Sequence, residues 1–159
     1  MATFIVATHN KKKLAELSRI LAPMGIEVIS PLDIEGGIVE AEENGSTFEE
    51  NALIKVTEIA KYVENCIVLA DDSGLEIDYL NKEPGIYSAR YAGVDTSYDI
   101  KNQLLLDRLE GVPDEKRTAR FVCAIAAAFP DGTTEVVRGT IEGIIGHEII
   151  GENGFGYDP

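Results

Sequence analysis

The sequence predicts an α/β fold built on a mixed sheet flanked by helices, and three observations carry that expectation. From residue 3 to residue 71, apolar strand-length runs alternate with amphipathic helical stretches in the order βαβαβ. From residue 118 onward the pattern changes to a β-meander, with Pro130-Asp131-Gly132 marking the turn. No repeat, linker or low-complexity stretch interrupts the chain, so residues 1–159 read as a single domain.

Residues 3–8 form the first strand, and Asn10 caps a helix running to Leu21, where Pro23 and Gly25 end it. Residues 27–29 start a short strand, and 31–46, rich in glycine and acids, read as a loop. Ser46 with Glu49, or Thr47 with Glu50, matches a capping box for a second helix whose apolar residues include Phe48, Ala52, Val56 and Ile59. Strand 66–71 follows, then a separate short strand 75–79 and a long loop over 81–93. A third helix spans 97–110 with Ile100, Leu104, Leu105 and Leu109 facing inward. Strand 118–129 then turns into a hairpin partner over 134–149.

A chain of 159 residues with 45% hydrophobic content can bury a substantial core. Its net charge of −14 argues against nucleic acid as a partner, because a phosphate backbone demands a basic stripe. Cys66 and Cys123 lie in apolar runs without metal-ligand spacing and read as buried, reduced core residues. Residues 1–8 are too short and lack the charged flank for a leader, and no long apolar span occurs. The expectation is a soluble, cytoplasmic protein with no membrane partner.

The chemistry concentrates at Asp71-Asp72, where the apolar run Ile67–Ala70 ends. One reading is a strand that delivers carboxylates to the mouth of a sheet, where a hard cation and a phosphate are held. The other is a polar turn, Asp71-Asp72-Ser73-Gly74. Alternation along a strand would aim the two acids opposite ways. Two lysines bear on the choice. At roughly 100° per residue, Lys13 falls within the stripe of Leu14, Leu17 and Leu21, whereas Lys11 and Lys12 point elsewhere. Lys55 likewise lies in the stripe of Phe48, Ala52 and Ile59, beside Asn51. A snorkelling stem would explain one inward lysine. Two on separate helices of an acidic chain point to a convergent cationic pocket, with Asp72 and an anionic substrate as counter-charges. Thr8 and Asn10 supply polar groups at the helix N-terminus, a natural phosphate site.

Glu40, Glu42 and Glu43 are the acids available to share a metal with Asp72, though acidic runs are more often solvated. His9 and His147 read as surface or turn residues. Phe155 and Tyr157 suit either core packing or stacking on a flat ligand. The chain has no GxxxxGK[ST], GxSxG, HExxH or CxxC.

Five stretches carry a resemblance that spans the whole chain: Thr8 to Lys13 with Glu16; Gly45 to Ala52 with Lys55; Ala70 to Gly74; Pro84 to Gly93; and Gly154 to Pro159. In order and spacing they resemble the Ham1/RdgB family, the inosine triphosphate pyrophosphatases. The resemblance implies an elongated, twisted mixed sheet in two lobes with a central cleft. It further implies Mg²⁺-dependent hydrolysis of ITP, dITP and XTP to the monophosphate and pyrophosphate, by a homodimer. Carried over by position, Thr8, His9, Asn10, Lys11, Lys12 and Lys13 match the triphosphate-binding turn, and Lys55 a second phosphate-facing lysine. Glu42 and Asp72 match the metal ligands, Asp72 also serving as general base, and Ser73 a substrate contact. Phe155, Gly156, Tyr157 and Asp158 match the strip that holds the purine. The family extends beyond the Phe-Gly-Tyr-Asp-Pro motif, so the expectation is that a C-terminal part completing base selection is missing. Two rivals stay open: a non-catalytic nucleotide-binding fragment, and a related house-cleaning phosphatase of different specificity.

Overall fold

The computed structural model describes residues 2–8, 10–31, 42–93 and 95–159. His9, Glu40 and most of the acidic loop expected over 31–46 lie outside the described residues. The chain forms a mixed, open five-stranded sheet flanked by helices, in the order β2-β1-β3-β4-β5. The strands are β1 (Ala2–Val6), β2 (Ile26–Ile29), β3 (Ile67–Ile77), β4 (Thr118–Ala128) and β5 (Thr134–Ile144). The helices are α1 (Lys11–Leu21), α2 (Phe48–Ala60) and α3 (Tyr98–Arg108). Among the described residues no helix is long and apolar enough to cross a membrane.

Two compact units make up the chain. The first comprises Met1–Asp72 and Cys123–Arg138, the second Ser73–Val122 and Gly139–Pro159. In the first, β1 pairs in parallel with β2 and with β3, as crossover helices require. Its buried apolar residues include Ile5, Val6 and Val68 of the sheet and Phe48, Ala52, Val56 and Ile59 of α2. Asn10 caps α1 by accepting from the backbone N–H of Lys12 and Lys13. Thr47 caps α2 through Glu50 N–H, and Glu50 reaches back to Ser46 N–H, one residue earlier than a strict capping box. The second unit packs Leu75, Ile77, Leu80, Leu105, Leu109, Val112 and Ala119 together, with Tyr91, Ile145 and Tyr157 against them.

Several expectations are corrected. Strands 66–71 and 75–79 are one strand, β3, so Asp71-Asp72-Ser73-Gly74 is no turn; pairing within the sheet overrides the turn propensity of Ser73-Gly74. The hairpin partner ends at Ile144 rather than at residue 149. Ile100 and Leu104 are exposed, and the inward face of α3 instead carries Lys101, Asn102 and Leu105. Both polar chains have backbone carbonyl partners there, which rotates the stripe. The loop over 81–93 contains a 3₁₀ turn, Gly85–Arg90. Cys66 and Cys123 are free thiols, as expected, but only half-buried.

Candidate active site

β1 is hydrogen-bonded to β3 only as far as Leu69, whose carbonyl takes the Ala7 N–H at 2.7 Å. β3 then runs on past the end of β1, and its next residues are Ala70, Asp71 and Asp72. Strand order reverses at β1, because the next two strands in sequence, β2 and β3, flank it on opposite sides. Ligand crevices in open α/β sheets lie beyond the carboxyl ends of strands at such a reversal. The Asp71-Asp72 pair therefore sits where topology alone would put a site.

Right-handed crossovers place α1 and α2 on opposite faces of this part of the sheet. The side chains agree with the alternation expected from a strand. Asp71 faces α1, its Oδ2 lying 3.0 Å from Lys13 Nζ. Asp72 faces α2, its Oδ2 accepting from Asn51 Nδ2 at 3.2 Å. Lys55 Nζ comes from the α2 side, donates to the main-chain carbonyl of Asp71 at 2.8 Å and pairs with Glu43 at 2.5 Å. Both lysines thus converge on the strand segment that bears the two acids. The expected pairing needs one correction. The direct carboxylate partner of Lys13 is Asp71, and those amines reach Asp72 only through their fields.

The electrostatics follow from burial. Asp71 and Asp72 are both buried. Desolvation holds the Asp72 carboxyl up at about 6, against the downward pull of Lys55; Glu43 adds to the rise, while Asn51 and Lys13 oppose it. Burial alone would lower the Lys13 ammonium, but the charge and hydrogen bond of Asp71, with Asp72 behind it, carry it above its ordinary value. Burial also raises the thiol of Cys123, which feels Asp71 and Lys13 nearby.

Thr8 is buried, and its Oγ1 accepts from Asn10 N–H at 3.1 Å, shaping the turn into α1. Lys11 and Lys12 are exposed at the first turn of α1, which holds no acid to offset the helix dipole. Glu42 is exposed and Glu43 half-buried against Lys55. Ser73 is half-buried on β3. Among the described residues, no three of His, Cys, Asp and Glu come together as a metal cage.

In the second unit, Phe155–Asp158 forms a tight turn. Asp158 N–H donates to Phe155 O at 3.1 Å, and Phe155 N–H to Asp158 Oδ2 at 3.1 Å. Gly156 takes φ +63°, a region open to glycine, and its carbonyl accepts from Asn102 at 3.2 Å. Tyr157 packs against the core, meets Tyr98 edge-to-face at 5.0 Å, and donates to Ser88 O at 2.5 Å. Burial pushes its phenol well above the usual range.

Sequence reasoning missed Lys101, Asn102 and Ser88, which hold this turn and the segment beside it. Lys101 is 1% exposed, donates to Ala89 O at 2.7 Å and lies 4.5 Å from the centre of the Tyr98 ring. The signal was available: Lys101 precedes Leu105 by four residues, the inward spacing that singled out Lys13 and Lys55.

The model of the Ham1 family matches residues 4–159. A dITP/XTP pyrophosphatase of Exiguobacterium sp. (strain ATCC BAA-1283 / AT1b) is 56% identical over 155 residues, covering 98% of this chain and 77% of the relative. The dITP/XTP pyrophosphatase of Bacillus subtilis (strain 168) is 49% identical over 159 residues, covering 100% and 79%. Among solved structures, the Staphylococcus aureus Ham1 protein superposes with a TM-score of 0.84 at 43% identity, covering 99% of this chain and 79% of its own. A HAM1 protein from Coxiella burnetii gives 0.85 at 40% identity, covering 100% and 80%. With the family model spanning nearly every residue and the fold matching throughout, this chain belongs to the Ham1 family.

Proposed function

We propose that this protein hydrolyses non-standard purine nucleoside triphosphates (ITP, dITP and XTP) to the nucleoside monophosphate and pyrophosphate, with Mg²⁺ as cofactor. The observation that carries the reading is the meeting of Lys13 and Lys55 at Asp71, beside the buried Asp72. Its relatives named as dITP/XTP pyrophosphatases support the substrate class.

The chemistry follows from the groups present. A water molecule attacks the α-phosphorus, and its proton passes to the Asp72 carboxylate. The bond from that phosphorus to the bridging oxygen breaks, and pyrophosphate leaves with the electron pair. A carboxyl held near 6 suits proton acceptance at neutral pH, since it is ionised yet more basic than an exposed aspartate. Lys13, Lys55 and the N-terminal turn of α1 offset charge on the leaving group. Asp72 with Glu42 or Glu43 fits a cation held by one or two carboxylates and substrate oxygens, which needs no three-residue cage. When bound, Mg²⁺ would neutralise phosphate charge. In the second unit, the Phe155 ring and the backbone at Gly156 are the proposed purine contacts, with Asp158 bracing their turn. The same reading extends to a cytoplasmic homodimer, testable by sedimentation.

The test is incubation with Mg²⁺ and ITP, dITP, XTP, ATP and GTP, following pyrophosphate and orthophosphate separately. Pyrophosphate from the first three in preference to the last two supports the proposal. Binding without turnover would indicate a nucleotide-binding module, and orthophosphate or another preferred substrate a different phosphatase.

A further inference from the structure

Asn51 is the polar residue most completely enclosed at the site, with 0% of its surface exposed, yet the proposed hydrolysis leaves it without a task. Its two amide ends face two different parts of the machinery. Oδ1 accepts from Gly45 N–H at 2.8 Å, and Nδ2 donates to Asp72 Oδ2 at 3.2 Å. The orientation of the amide follows from chemistry. A backbone N–H only donates, so oxygen must face Gly45, and the NH₂ is left to face the carboxylate.

We infer that Asn51 is a positioning residue that clasps the Glu42-Glu43 segment to Asp72, so that the reacting carboxylate and the neighbouring acids keep one fixed relation. This assignment rests on Asp72 being the base of the proposed hydrolysis.

Three further features support it. Gly45 approaches so closely that a Cβ there would lie 2.7 Å from Asn51 Oδ1 and 2.8 Å from Glu50 Cβ, so only glycine admits the clasp. Lys55, one turn along α2, ties Glu43 and the Asp71 carbonyl together in the same sense. Asn51 also sits on the first turn of a helix capped by Thr47 and Glu50, so its backbone is rigidly held. One helical turn therefore fixes both the acid-bearing segment and the strand that carries Asp72. Partners that hold a reacting or ligating group in this way commonly contribute 10–100-fold to activity.

The test uses four purified variants. Asn51→Asp is isosteric and keeps an acceptor for Gly45, but replaces the donor facing Asp72 by a like charge. Gly45→Ala strains the clasp from its other end without touching Asp72. Asp72→Asn and the double variant Asn51→Asp with Asp72→Asn complete the set, the double restoring a donor–acceptor pair with its polarity reversed. The expected result is a kcat lowered roughly 10–100-fold by Asn51→Asp, with KM for ITP within about three-fold. Gly45→Ala should lower kcat in the same sense. Without metal, the unfolding temperature lost in Asn51→Asp should be partly recovered in the double variant, as a directly coupled pair requires.

A wild-type kcat per folded molecule in both Asn51→Asp and Gly45→Ala would overturn the inference while leaving the hydrolysis reading intact, provided Asp72→Asn is inactive. Additive thermal effects in the double variant would also overturn it. An active Asp72→Asn would overturn the hydrolysis reading and this assignment with it, whatever Asn51 does.

Discussion

Lys55 donates to the main-chain carbonyl of Asp71 at 2.8 Å, although the same residue's carboxylate belongs to Lys13. One aspartate is therefore gripped by two amines, one at its backbone and one at its side chain. The grip fixes the strand direction at Asp71 and with it the direction of the adjoining Asp72 side chain. It also makes the two lysines unequal, because Lys13 is ion-paired to a buried carboxylate, while Lys55 is ion-paired to the half-buried Glu43.

For Lys13→Ala the structure implies two losses. On the proposed function the triphosphate loses a cation, which should raise KM roughly 10-fold or more, in line with a charged hydrogen bond. The buried Asp71 also loses its ion pair with Lys13, so the metal-free protein should be less stable by about 1–3 kcal/mol. Kinetics with ITP and urea unfolding measure the two separately. An unchanged urea midpoint would mean that the ion pair with Asp71 carries no stability.

Replacing Asp72 by asparagine should reduce pyrophosphate release by about a hundred-fold or more while the fold persists. Activity within a few-fold of wild type would remove Asp72 from the role of base.

The same substitution carries a pH signature in the metal-free state. The folded value of about 6 exceeds the ordinary 3.8. Between those values the native state holds a proton that the unfolded chain has released, so stability falls as pH rises through the window and stays lower above it. Asp72→Asn removes that loss. Its unfolding temperature relative to wild type should be more favourable at pH 8 than at pH 4, measured with a chelator present.

Arg117 should behave as a structural residue. It is 2% exposed, and its guanidinium donates to the carbonyls of Leu109, Ile145 and Gly146 at 2.7, 2.9 and 2.6 Å. Arg117→Met leaves those carbonyls without their donor and should cost about 3 kcal/mol or more. A fall in the urea midpoint reports it, and an unchanged midpoint would mean water replaces the guanidinium at no cost.

Gly154→Ala addresses the strip in the second unit. A Cβ at this position would lie 2.5 Å from both Cβ and Oδ2 of Asp158, so the turn bonded through Phe155 N–H must shift. If that turn holds the purine, KM for ITP should rise several-fold with kcat largely kept. Unchanged KM would free the strip from base binding.

Much of this arrangement was legible in the residues. The caps at Asn10 and Thr47, the inward placement of Lys55 and the opposed facing of Asp71 and Asp72 all follow from local rules of spacing and alternation. What escaped were consequences of contact. Ser73-Gly74 looked like a turn because sheet pairing that overrides it is non-local. Which aspartate would take Lys13 depended on which face α1 packs against. Lys101 and Asn102 turned inward because the carbonyls of Ala89 and Gly156, distant in sequence, await them.

Asp71 and Asp72 lie within an eleven-residue strand rather than in a loop. Their backbone freedom is surrendered when the chain folds, so an arriving nucleotide has no such ordering left to impose. Association at this end of the sheet should accordingly be rapid, and its free energy should go into contacts rather than into immobilising the acids.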